Sequence, residues 1–350
     1  MRSAATSILA ALALLLPCTA LPARAEPVHI VFDTDVGNDI DDALALALLH
    51  ALADRGECDI IAVTITKDNR YSAPFVDIVD TFYGRGEIPV GVCRSGITPE
   101  DGSYTKAVAT AADDGRPRYG HDLADGADAP GAVAVLRRAL AAQPDGSVAA
   151  VQVGFSTNLA NLLDSPADDY SPLDGMELVR RKVRLLSIMA GVFTSNPGDQ
   201  AIGEYNVVNH LPAARKLFDT WPTDIVASGW EIGVALPYPA VSIERDYGYV
   251  PHHPIAEAYR AYQRMPYDRP TWDPTSALYA VRPDRGYFEL SPPGRIVVDE
   301  RGHTRFEEGP AGRHRYLRVP ADGARVLEAL QLLCSQPPRR QRGRGGAAIG

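Results

Sequence analysis

Apolar runs rich in β-branched residues recur along the chain. Residues 28–35 (VHIVFDTD), 58–66 (CDIIAVTIT), 88–93 (IPVGVC), 147–154 (SVAAVQVG), 182–191 (KVRLLSIMAG) and 223–229 (TDIVASG) read as strands. Between several of them, residues 41–56, 130–143 and 156–165 carry apolar positions at helical spacing. The strands are near-continuously apolar rather than alternating, which indicates burial on both faces. The pattern predicts an α/β fold with a mainly parallel central sheet flanked by helices. In such sheets, ligands bind beyond the carboxyl ends of the strands. The acidic stretch 33–42 follows the first strand and the loop 152–158 the fourth, so both belong to that edge. Residues 237–315 are rich in Pro, Tyr and Gly and resist assignment, except for a hairpin around Arg301-Gly302. Residues 322–334 (DGARVLEALQLLC) predict a closing helix.

Composition narrows the class. With 350 residues, 45% hydrophobic and 23% charged, the chain suffices for a sizeable core. A formal charge of −9 argues against nucleic acid as an electrostatic partner. Residues 1–25 have the layout of a secretory signal peptide: Arg2, an apolar stretch from Ile8 to Leu16, and Ala-Arg-Ala ending at Ala25. That stretch is short for a membrane span, so no membrane anchor is expected. Cleavage near Ala25 predicts a secreted or periplasmic protein, and the loss of two arginines takes the charge from −9 to −11. The remaining domain is expected over residues 26–335, followed by a disordered tail, 336–350, with four arginines and no apolar anchor. Three cysteines remain, too few for a disulfide framework. Cys58 and Cys93 border predicted strands and could pair if these are neighbours; buried thiols are the alternative.

The stretch FDTDVGNDIDDALAL places five aspartates, Asp33, Asp35, Asp39, Asp41 and Asp42, within ten residues. Asp41 or Asp42 could cap the following helix, but capping cannot employ five carboxylates. An EF-hand loop would need an oxygen ligand and a glutamate where Gly37 and Leu44 stand. An aspartyl-phosphate phosphatase would want Thr or Val at Gly37. A hard-cation site remains, for calcium or magnesium, and the lack of a Cys/His cluster argues against zinc.

Asp-x-Asp-x-Gly followed by Asp-Asp-Ala after a first strand resembles the signature of the nucleoside hydrolases, the inosine–uridine-preferring N-ribohydrolases. The usual form has one residue between the glycine and the aspartate pair; this chain has Asn38, Asp39 and Ile40. Further similar motifs follow in order over residues 27–285: AVTITKDN, QVGFSTNLA, IMAG, GEYNVVNHLPAARKLF and TWDPTSALYAV. The resemblance implies a Rossmann-like open sheet and Ca2+ held by Asp35, Asp42, Asp273 and the Val153 carbonyl. It implies that Asp35 is the general base, that Asn69, Met189, Glu204 and Asn206 meet the ribose, and that Asp33 orients the loop. It further implies a small nucleoside as substrate and a homo-oligomer, dimers and tetramers being common in the family.

Trp272 stands where the pyrimidine-tolerant branch has histidine. Tryptophan cannot deliver a proton as histidine does, but it stacks on a purine, as the Trp-Asp of the purine-specific branch implies. Purine nucleosides are therefore the expected substrates. His121, His252 and His253 are candidate acids from elsewhere, and Tyr259 and Tyr262 candidate aromatic neighbours of the base. The competing reading is a non-catalytic, Ca2+-holding ribosyl- or sugar-binding relative, motivated by the enlarged 38–40 loop, through which Asp39 could enter the metal shell.

Overall fold

The computed structural model describes residues 26–193, 202–320 and 323–339. The expected leader and most of the basic tail lie outside the described residues. The strands of the central sheet, in chain order, are β1 (Val28–Thr34), β2 (Cys58–Lys67), β3 (Val90–Ile97), β4 (Val148–Gln152), β5 (Val183–Met189), β6 (Asp224–Ser228), β7 (Glu289–Leu290), β8 (Gly294–Val298), β9 (Thr304–Glu308) and β10 (His314–Arg318). They lie in the order β9-β8-β10-β6-β5-β4-β1-β2-β3, with β7 beside β10. Every pairing from β10 across to β3 is parallel. The β8–β9 pair is the antiparallel hairpin expected around Arg301-Gly302, with Gly302 at a left-handed φ of 83°. The parallel strand β10 lies just past it and went unread in the sequence, because its alternating HRYLR resembles an exposed strand.

The sheet runs outward from β1 through β2 and β3, and the chain then returns to the other side of β1 for β4, β5 and β6. Adjacent strands whose connections depart in opposite directions leave a crevice at their carboxyl ends, here between β1 and β4. β4 leaves the ladder one residue before Val153, yet the Val153 and Gly154 N–H groups still donate to the Asp33 carbonyl, at 2.7 and 3.3 Å. This keeps the two strand ends together at the crevice.

One face of the sheet carries the helices Asp41–Asp54, Ser72–Phe82, Trp272–Val281 and Ala324–Cys334 around one apolar cluster. The other carries Thr157–Leu163, Gly175–Lys182 and Leu211–Thr220 around a second. The Asp41–Asp54 helix is buried almost all round, as its Ala/Leu-rich sequence, interrupted only by His50 between Ala43 and Ala53, requires. It packs on the Trp272–Val281 helix, so two helix N-termini meet at the same end of the sheet. β2 and β3 are neighbours, but their register sets Val63 against Val90 and Ile65 against Val92. Cys93 therefore faces the far end of β2 from Cys58, and no disulfide joins them. Among the described residues, no helix is long and apolar enough to cross a membrane.

Candidate active site

A cavity of about 490 Å3 opens at the β1–β4 crevice. Asp35, Asp39, Asp41 and Asp42 are among the residues that line it, with Val153, Met189, Glu204 and Asn206, and with Trp230, Tyr262, Arg269, Trp272 and Asp273. Of the residues expected from the motifs to hold the cation or to meet the ribose or base directly, Asp35, Asp42, Val153, Met189, Glu204, Asn206, Trp272 and Asp273 are on its wall and Asn69 is not. The Asn69 carboxamide oxygen accepts the Tyr71 and Ser72 N–H groups at 2.9 and 3.0 Å, and its amide donates to the Ser72 hydroxyl at 3.0 Å. Asn69 thus ties down the entry to the Ser72–Phe82 helix. The free backbone donors of a helix start hold this side chain, and the structure does not bring it to the cavity with the other residues expected there.

Three carboxylates converge. Asp41, Asp42 and Asp273 each offer an oxygen within 4.8 Å of the others, and all three are buried. The Asp41–Asp54 helix begins at Asp41 with neither aspartate capping it. Asp41 Oδ2 instead accepts the Asp273 N–H at 3.0 Å, linking the two helix starts. Asp42 Oδ1 accepts the Thr34 hydroxyl, while Asp42 Oδ2 is buried without a hydrogen-bond partner. Burial, and then repulsion from neighbouring carboxylates, holds the pKa of all three well above the usual carboxylate range. An all-oxygen donor set with an orphaned buried oxygen fits a hard divalent cation, whose charge would relieve that repulsion. Of the expected ligands, Asp42 and Asp273 belong to this trio, with Asp41 in addition. Asp35 stands outside it and lines the same cavity.

Asp35 Oδ2 accepts the Asn38 amide at 2.7 Å, and Asn38 Oδ1 accepts Lys67 Nζ at 2.6 Å. Lys67 also donates to the Thr98 carbonyl at 2.5 Å. Burial raises the Asp35 pKa to about 6, with the Asn38 hydrogen bond and the Lys67 charge opposing it. Asp33 lies behind the wall: its Oδ1 accepts from Thr64 Oγ1 at 2.6 Å and Asn158 Nδ2 at 2.8 Å. Burial raises its pKa to about 7. Lys67 was legible in principle, since a lysine inside a buried strand must find partners. Arg269 and Trp230 carried no comparable signal.

Opposite, Glu204 caps the short Tyr205–Asn209 helix, accepting the Asn206 N–H at 2.9 Å and the Gly191 and Val207 N–H groups at 3.2 Å. Burial lifts its pKa to about 7 against these bonds. The Asn206 amide donates to the Val153 carbonyl at 2.7 Å and the Met189 carbonyl at 3.2 Å. That engages one of the two lone pairs of the Val153 oxygen, leaving one for another partner. Trp272 Nε1 donates to the Trp230 carbonyl at 2.7 Å, and the Arg269 guanidinium lies 5.2 Å from both the Trp272 and Tyr262 ring centroids. Tyr259 stacks on Tyr267 in the core, 4.4 Å between centroids, and only Tyr262 of the expected tyrosine pair reaches the cavity. No histidine lines the cavity among the described residues. His253 is buried at a helix start against Tyr249, His252 pairs with Glu257, and His121 bonds the Tyr119 carbonyl.

The fold is shared with solved nucleoside hydrolases at low identity. A plant nucleoside hydrolase, PpNRh1, is 21% identical, with a TM-score of 0.65 over 89% of this chain and 100% of its own. The purine-preferring ribonucleoside hydrolase of Gardnerella vaginalis is 18% identical, with a TM-score of 0.65 over 88% and 98%. The type III effector protein XopQ, solved with adenosine diphosphate ribose, is 16% identical, with a TM-score of 0.64 over 88% and 94%. A search of curated protein sequences finds no match. The family model for inosine-uridine preferring nucleoside hydrolases matches residues 30–327, a span that runs from β1 into the closing helix and contains every carboxylate of the cavity. With the parallel sheet, the crevice and its aspartates in place, the match has one meaning: the chain belongs to the inosine-uridine preferring nucleoside hydrolase family.

Proposed function

We propose that the protein hydrolyses the N-glycosidic bond of purine ribonucleosides to free base and ribose, with Ca2+ as its resident cation. The observation that carries this reading is the convergence of Asp41, Asp42 and Asp273 beside Asp35 in one cavity at the crevice. When bound by Asp35, Asp42, Asp273 and the Val153 carbonyl, the cation supplies a docking point for the ribose diol and polarises water. Asp35 takes the proton of the attacking water; the Asn38 amide fixes its carboxylate, and burial keeps it basic enough for that transfer. Glu204, Asn206 and Met189 lie along the wall where the sugar is gripped. As the bond breaks, positive charge grows on the ribosyl ring, and the surrounding carboxylates stabilise it.

The aromatic wall supports a purine. Trp230, Tyr262 and Trp272 offer flat apolar surface, and among the described residues no histidine lines the cavity to protonate a pyrimidine. Arg269 covers one face of Trp272, so a base meets its other face or its edge. A leader-like segment at residues 1–25 supports a reaction outside the cytoplasm.

The test is base release from inosine, adenosine, guanosine, uridine and cytidine by the purified protein, with Ca2+ and after chelation, alongside Asp35→Asn. We expect purine release that disappears on chelation and falls about 10²–10⁴-fold in the variant. A fold neighbour solved with adenosine diphosphate ribose favours a second reading, a ribosyl-binding protein without turnover. Cation binding with no release from any nucleoside would decide for that reading.

A further inference from the structure

The Asn38–Ile40 extension brings Asp39 into the loop, and the structure gives that residue a partner. Arg269 Nε donates to Asp39 Oδ1 at 2.9 Å and Arg269 Nη2 to Asp39 Oδ2, a two-point fork across 230 residues of sequence. Asp39 stands two residues before Asp41 and Arg269 four before Asp273, so the pair bridges the two segments that bear the converging carboxylates. Both ends are braced. Tyr104 Oη donates to the Asp39 carbonyl at 2.5 Å and accepts the Gly37 N–H at 2.6 Å. The Arg269 guanidinium rests between the Tyr262 and Trp272 rings, 5.2 Å from each centroid, and Trp272 directly precedes Asp273. A second tie, Asp273 N–H to Asp41 Oδ2, lies alongside.

The geometry points to a clamp: Asp39 and Arg269 are positioning residues that hold the two carboxylate-bearing segments at cation-binding distance against their mutual repulsion. The extended loop thus preorganises the cation site and adds no ligand to it. Without the fork, Asp41 and Asp42 would part from Asp273 until a cation drew them together, and binding would bear the cost of that ordering. This inference rests on the cation reading of the site given above.

Electrostatics alone predicts the opposite sign for one substitution. Arg269 is a positive charge near the carboxylates, so its removal should strengthen cation binding if charge were its only role. The clamp requires weakening. The experiment is calorimetric titration of the chelator-treated, full-length protein with CaCl2, comparing wild type, Arg269→Gln and Arg269→Lys, with melting temperatures in EDTA as a control. The clamp predicts Ca2+ binding about tenfold or more weaker in both. Lysine keeps the charge but loses the planar fork, so Arg269→Lys stands in if Arg269→Gln fails to fold. Unchanged or tighter binding in either folded variant overturns the clamp. Wild-type protein that binds no Ca2+ overturns the cation reading itself, a different failure.

Discussion

Lys67 shows how much of the site depends on one side chain outside it. Its ammonium sits at the end of β2, buried, and holds the Asn38 carboxamide oxygen so that the amide nitrogen faces Asp35. A carboxamide has no preferred direction of its own; the cation chooses it. Lys67→Met should let Asn38 turn and Asp35 swing. We expect kcat to fall roughly tenfold or more with KM changed less, because a small misplacement of a catalytic group costs rate. Steady-state kinetics on the best nucleoside substrate measures this, and an unchanged kcat would remove Lys67 from the account. The aspartates were legible at this scale because charged residues after a buried strand demand a reason. Their division of labour was not: that Asp41 joins the converging trio and Asp39 turns to Arg269 depends on a helix start and a strand separated by more than 200 residues.

Between elements, the decisive contact is β1 against β4. A Cβ on Gly154 would lie 2.5 Å from the Asp35 nitrogen and 2.7 Å from the Thr34 carbonyl carbon, both backbone atoms. Only glycine lets the two strand ends approach this closely, and the approach fixes Asp35. Gly154→Ala should cost about 1–3 kcal/mol of stability through overpacking, read as a lower melting temperature. It should also lower activity beyond what the melting shift explains. A folded Gly154→Ala variant with wild-type turnover would show that the close approach does not set the geometry of Asp35. Most of the strands and helices that were expected matched their boundaries closely, because nearly unbroken apolar runs leave few alternatives. The surroundings of Asn69 were not legible, since its position after β2 fits both a ribose contact and a helix entry, and its hydrogen bonds to the helix entry depend on the tertiary path of the following helix.

For the whole molecule, the cavity should make stability depend jointly on pH and, on the proposed reading, on cation. Asp33, with an ordinary value of 3.8, is raised to about 7, Asp35 from 3.8 to about 6, and Glu204 from 4.5 to about 7. Across those windows the folded chain holds more protons than the unfolded one. Their contribution to stability is present below the ordinary values and is lost as pH rises through the folded ones. His253, lowered from 6.5 to about 3, and His314, lowered from 6.5 to about 4, act in the opposite sense, costing stability as pH falls below 6.5. These histidines lie off the cavity and drop out of a difference between melts with and without cation. The rise in melting temperature on adding Ca2+ to the chelated protein should therefore be larger at pH 8 than at pH 5, since binding displaces protons from the carboxylates. Equal rises at the two pH values would mean that the acidic cavity is not where the cation binds.

The α/β class, the parallel strands, the crevice edge and the acidic loop were legible in the sequence, because the burial pattern of each segment is local. Motif order pointed to the family that the match over residues 30–327 establishes. Tertiary structure alone decided which carboxylates converge, that Lys67 aims Asn38 at Asp35, and that Asp39 is taken by Arg269. Those outcomes depend on distances between segments remote in the chain, which spacing along a sequence does not encode.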